Sequence, residues 1–129
     1  MIVDTSAVVA IVTREPGFEL VLGEIESADT ISMSAGSVLE LMIVLGSARF
    51  GLQGVEIQRI LDVLTISTVE FTAEHASVAA EAFARFGKGH HPARLNFGDC
   101  MAYATAAVSK QPLLFVGDDF SQTDVATAR

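Results

Sequence analysis

Four short apolar segments recur along the chain: residues 1–4, "TISMS", "ISTVEF" and "PLLFVG". Each is separated from the next by one or two stretches of helical periodicity. Strands that alternate with helices cannot be joined by hairpins, and they build a mostly parallel sheet covered by helices on both faces. This pattern restricts the fold to the α/β class. The last strand is apolar throughout, as a strand buried on both sides should be.

The intervening segments predict helices over "SAVVAIV" and "GFELVLGEIESA", with Pro16 suited to the start of the second. A nearly continuous apolar helix is expected from Ala35 to Phe50, stopped by Gly51 and followed by the amphipathic "VEIQRILDVL". Thr72 is placed to cap "AEHASVAAEAFARF", and a further helix runs from about Phe97 to Ser109. With 129 residues, half of them hydrophobic and only three Pro, the chain suits one domain, 1–129, with a well-buried core. No apolar stretch reaches membrane-spanning length free of charge. The opening run carries Asp4 and has no basic residue ahead of it, unlike a signal peptide. Cys100 is the only cysteine, so neither a disulfide framework nor a thiolate metal cluster is expected, and the expected location is cytoplasmic.

A net charge of -8 argues against a general nucleic-acid binder, because phosphate affinity comes from clustered Lys and Arg. The distribution matters more. "RFGKGHHPAR" gathers Arg85, Lys88, His90, His91 and Arg94 without a single acid. Neighbouring His90 and His91 are poor candidates for chelating one metal, since adjacent side chains in extended backbone point apart.

The acids carry the chemistry. Asp4 sits where the first strand meets a helix, and Asp99 in "NFGD" falls in a first helical turn; each has an ordinary reading as a helix cap or dipole partner. Glu40, surrounded by apolar residues in "VLELMIVL", needs a partner if it is buried, and a distant Arg would suffice. Asp118 and Asp119 follow a buried strand, where a solvated turn is the plain alternative. Topology joins these signals. Ligands of open parallel sheets sit outside the carboxyl ends of the strands, and Asp4, Asp99 and Asp118 can converge there. Clustered carboxylates repel, so three or four together are explained best by a divalent metal, and an oxygen-only donor set points to Mg²⁺ or Mn²⁺. Such a metal activates water and neutralises charge building on a phosphate, which is the chemistry of phosphodiester hydrolysis.

At this point the chain resembles a known family. "MIVDTSAVVAI", Glu40 in a central helix, "LNFGDCMAYATA" and "PLLFVGDDFSQTDV" are similar in order and spacing to the PIN-domain ribonucleases, in particular the VapC toxins of bacterial toxin–antitoxin pairs. The resemblance implies a three-layer α/β/α fold with a central mostly parallel sheet, Mg²⁺-dependent endonucleolytic cleavage of RNA with Mn²⁺ as a substitute, and inhibition by a VapB-like antitoxin. It assigns Asp4, Glu40, Asp99 and Asp118 as catalytic acids, the first three as metal ligands, with Ser6 as the small hydroxyl that supports the metal site. The last motif departs from the family. Phe115 stands where many members have Thr and Gly117 where they have Asp, which leaves Asp118, Asp119 and Asp124 as contenders for the fourth acid. The basic loop, Arg85 to Arg94, is placed to grip the RNA backbone with little base information.

Two rivals fit less well. A phospho-receiver signalling domain shares the length, the parallel sheet and the Mg²⁺ pocket, but it needs a Lys at the carboxyl end of its last strand, and Lys110 precedes that strand. A catalytically inactive PIN-like partner-binding module would have lost acids that this chain keeps. The apolar helices between Ala35 and Leu64 predict a homodimer, and the antitoxin is expected to place an Arg among the acids.

Overall fold

The computed structural model describes all residues 1–129. The chain runs β1 (Ile2–Val3), α1 (Thr5–Thr13), α2 (Phe18–Ser27), β2 (Ser32–Ser34), α3 (Ala35–Leu45), α4 (Gly54–Val63), β3 (Ser67–Val69), α5 (Ala73–Phe86), α6 (Phe97–Ser109) and β4 (Leu113–Leu114). The strands form one sheet in the order β3-β2-β1-β4. Every pairing is parallel, with Ile2 opposite both Ser32 and Leu113, and Ser32 opposite Ser67. All four carboxyl ends therefore open on one edge.

Alternate residues of the central strands enter different cores, as the two-residue period of a strand requires. Val3 and Leu114 join Val8, Val21, Leu41 and Ile57 from the first four helices. Ile2 and Leu113 join Ala82, Phe86, Ala102 and Tyr103 from α5 and α6. The result is the expected three-layer α/β/α arrangement. No helix is long and apolar enough to cross a membrane.

The strands β2 and β3 are shorter than the expected "TISMS" and "ISTVEF", and three further boundaries differ for a visible reason. The α3 helix ends at Leu45, not Phe50: Gly46 terminates it, with its N–H on the Met42 carbonyl at 2.9 Å, while Gly51 only closes the following turn onto the Ser47 carbonyl at 2.7 Å. Pro16 lies in the turn before α2, and Gly17, at φ 90°, is the cap. The β4 strand covers two residues rather than all of "PLLFVG", because the Val116 N–H leaves the sheet to donate to Ser6 Oγ at 3.0 Å.

Candidate active site

Asp4 ends β1 and begins α1. Its Oδ2 accepts from the Ser6 N–H at 3.0 Å and from Ser6 Oγ at 2.6 Å, so the helix-cap reading holds for that oxygen. Its Oδ1 is buried and has no hydrogen-bond partner. A buried carboxylate oxygen without a donor is costly. Asp99 is divided in the same way. It forms a capping box with Asn96, Oδ2 accepting the Asn96 N–H at 2.9 Å and the Asp99 N–H donating to Asn96 Oδ1 at 2.9 Å, and no hydrogen bond is made to Oδ1.

Glu40, half-buried on α3, reaches the first turn of α6, where its carboxylate lies against Gly98; a Cβ on residue 98 would collide with it. The positive end of the α6 dipole favours that placement. The distant-Arg alternative for Glu40 is not realised, since the one salt bridge in the structure joins Arg85 to Asp124.

Asp4, Glu40 and Asp99 line one cleft of about 450 Å³ at the carboxyl edge of the sheet, together with Ser6, Glu15, Val116 and Gly117. The electrostatics follow from burial and like charge. Burial raises the pKa of Asp4, against the Ser6 hydrogen bonds, and the charge of Glu40 adds to the rise. Asp99 is pushed up to about 7, first by burial and, against the Asn96 N–H, by the charges of Asp4, Asp119 and Glu40. The cleft thus disfavours its own negative charge.

These residues fit a hard divalent cation held loosely. No three His, Cys, Asp or Glu side chains close into a ready-made metal cage, so the joint three-carboxylate ligand set expected from the sequence is not preformed. Mg²⁺ commonly binds through one or two carboxylates while keeping several waters. The orphaned Asp4 Oδ1 suits that mode.

The last motif divides its contenders. Asp118 and Asp119 are both exposed, and the charge of Asp119 acts on Asp99. The Asp118 carbonyl accepts from the Ser121 N–H and Oγ. Asp124 is turned elsewhere: it accepts from Tyr103 Oη at 2.5 Å and from Arg85 at 2.8 Å.

The basic loop is likewise sorted. Arg85 pairs with Asp124 and lies 4.6 Å from the centre of the Phe86 ring. His90 Nε2 is 2.9 Å from the Phe83 carbonyl and 3.0 Å from that of Ala84, at the end of α5. His91 Nδ1 accepts the Ala93 N–H at 3.1 Å, and its ring meets Phe86 edge-on at 5.2 Å. The structure therefore gives these three side chains contacts within the protein, and only Lys88 and Arg94 are exposed without a side-chain partner. The loop closes through the Lys88 N–H onto the Leu95 carbonyl at 2.9 Å, just before α6 and Asp99.

Sequence reasoning missed two residues here. Gly98 had a signal, a glycine inside a first helical turn, but its reason is the Glu40 head against it. Glu15, beyond the end of α1, had none.

Comparison with known proteins matches the PIN domain family model over residues 1–126. Ribonuclease VapC36 of Mycobacterium tuberculosis is 49% identical over 126 residues, spanning 97% of this chain and 91% of its own. Ribonuclease VapC of Mycolicibacterium smegmatis is 47% identical over 127 residues, spanning 98% of both chains. Among solved structures, the sarcin–ricin loop cleaving toxin VapC20 of Mycobacterium tuberculosis superposes with a TM-score of 0.76 at 19% identity, covering 97% of this chain and 95% of that one. A toxin–antitoxin complex from Klebsiella pneumoniae superposes with a TM-score of 0.70 at 15% identity, covering 99% and 97%. At those identities the superpositions speak to the fold.

Proposed function

From the premise that this chain belongs to the PIN domain family, we propose that it is a metal-dependent endoribonuclease, the toxin of a type II toxin–antitoxin pair. Its curated relatives at 49% and 47% identity are named ribonucleases of the VapC type. The observation that carries the reading is the cleft that Asp4, Glu40 and Asp99 line together with no cation from the protein.

Asp4 and Asp99 would hold Mg²⁺, or Mn²⁺ in its place, through the oxygens their helix caps leave over. Glu40 completes the negative wall, and Asp119, whose charge reaches Asp99, is favoured over Asp118 as the fourth acid. When bound, the cation supplies activation of water and neutralisation of charge on the scissile phosphate. Ser6 orients Asp4 and ties down the start of the last motif at Val116. Lys88 and Arg94, exposed in the loop that precedes α6, would contact RNA phosphates. A cytoplasmic location belongs to the same reading.

The partner is a VapB-like antitoxin. A guanidinium offers five donors in a planar fork that suits paired carboxylates, so an antitoxin Arg among Asp4, Glu40, Asp99 and Asp119 would satisfy the same need as a cation. Inhibition should then weaken as Mn²⁺ rises.

The test is controlled expression followed by mapping of RNA ends. New ends should accumulate at defined sites with the wild-type chain and not with Asp99→Asn. Ends that appear equally with both would remove the acidic cleft from the reaction.

A further inference from the structure

Residues 115–126 leave the sheet after β4 and return to it at Thr127, which bridges to Leu113. This segment contains Gly117, Asp118 and Asp119 and has no regular secondary structure. Its entry is tied to the site, with the Val116 N–H on Ser6 Oγ at 3.0 Å and Ser6 Oγ on Asp4 at 2.6 Å. Its middle is anchored by Phe120, 2% exposed and packed on Phe115 at 5.0 Å between ring centres. Its exit is tied on the opposite side, to α5 and α6, where Asp124 accepts from Tyr103 Oη at 2.5 Å and from Arg85 at 2.8 Å.

We propose that Asp124 is a positioning residue: by receiving Tyr103 and Arg85 it fixes the exit of this segment and thereby the course of the Asp118–Asp119 turn that follows Val116 and Gly117 out of the acidic cleft. Tyr103 supplies the stronger tie. It is 6% exposed and held in place by packing, and losing its acceptor would cost its hydroxyl the hydrogen bond. The Arg85 pair is about half exposed on both sides, 48% and 53%, and adds less. The pKa directions agree with a carboxylate that works as an acceptor: Asp124 is held down by Tyr103 and then Arg85, while burial and Asp124 raise Tyr103 to about 12. This assigns Asp124 a role apart from metal ligation, and it accounts for Arg85 without RNA. The catalytic part of the inference rests on the ribonuclease reading.

The experiment compares wild type, Asp124→Ala, Asp124→Asn and Tyr103→Phe by amide hydrogen exchange and by RNA cleavage in Mn²⁺. Exchange of the amides from 117 to 123 should rise about tenfold or more in Asp124→Ala and Tyr103→Phe, with α1 and α3 unchanged. The kcat should fall between roughly tenfold and a hundredfold with little change in KM, as for a group displaced by about an ångström. Asp124→Asn should recover most of the loss, since an amide can accept from Arg85 and donate to Tyr103. Unchanged exchange in both Asp124→Ala and Tyr103→Phe would overturn the proposal. So would an Asp124→Asn protein as inactive as Asp124→Ala while its exchange is normal, which would make Asp124 a ligand. Should wild type cleave no RNA, the ribonuclease reading fails separately, and the exchange comparison still decides the clamp.

Discussion

The carboxylate of Glu40 occupies the space that a Cβ on residue 98 would need, so the acidic cleft depends on Gly98 having no side chain. The obstructing atoms are the far end of a flexible side chain, and Gly98→Ala is therefore accommodated by pushing Glu40 aside. Alanine is favoured over glycine in a helix by about 1 kcal/mol. Stability should hold or rise while RNA cleavage falls roughly tenfold. Thermal melting beside initial cleavage rates checks this, and equal activity would detach Glu40 from the chemistry.

Asp99 sets a pH dependence. Its pKa rises from 3.8 to about 7 on folding, so the folded chain holds that proton more tightly than the unfolded chain does. In EDTA, this group's contribution to stability is greatest below the unfolded value, is lost progressively as pH rises through the window from 3.8 to about 7, and stays lost above it. Asp99→Asn should flatten that slope, because an amide oxygen can still accept the Asn96 N–H. Melting curves of both proteins across this window, compared as a difference, give the answer. Parallel curves would mean that Asp99 ionises without strain.

The proposed RNA contact rests on Lys88 and Arg94, the two exposed cations of the loop without a side-chain partner. Replacing each with Ala should reduce the salt slope of RNA binding by about 0.7 for single-stranded substrate. Binding isotherms at several salt concentrations measure it. A slope unchanged in the double variant would move the RNA to another face.

Leu39 and Ile43 on α3 are 60% and 65% exposed, and Val55 and Val63 on α4 are 69% and 75% exposed. A second copy is the expected cover for part of this surface. Light scattering at micromolar concentration should give twice the 13.6 kDa chain mass, and Leu39→Asp with Ile43→Asp should halve it. A wild-type monomer would contradict the dimer.

Much of this architecture was legible from local chemistry. The α5 helix begins where Thr72 places it, because the cap meets its own first turn, and α6 begins at the expected Phe97, capped by Asn96. The α3 stop falls at Gly46 and not at Gly51 because two glycines stand in reach, and only the turn from Ser47 to Leu52 decides between them. Arg85 and Asp124 are far apart in sequence, so nothing local indicates that they pair, and Arg85 looks like a free cation. His90 is explained by carbonyls at the end of α5 and His91 by an amide of the loop itself, contacts that a composition of basic residues conceals. Asp4, Glu40 and Asp99 stand out in the sequence as candidates because each interrupts an apolar or capping context, and they line one cleft, whereas Gly98 acquires its meaning only when α3 and α6 pack.

The most direct measurement is the initial rate of RNA cleavage by the purified chain against Mg²⁺ or Mn²⁺ concentration, for wild type and Asp4→Asn. Wild type should rise to saturation and stop in EDTA, and Asp4→Asn should be slower by at least about a hundredfold at every metal concentration. Cleavage that persists in EDTA, or that proceeds at the wild-type rate in Asp4→Asn, would contradict a metal-dependent reaction in this cleft.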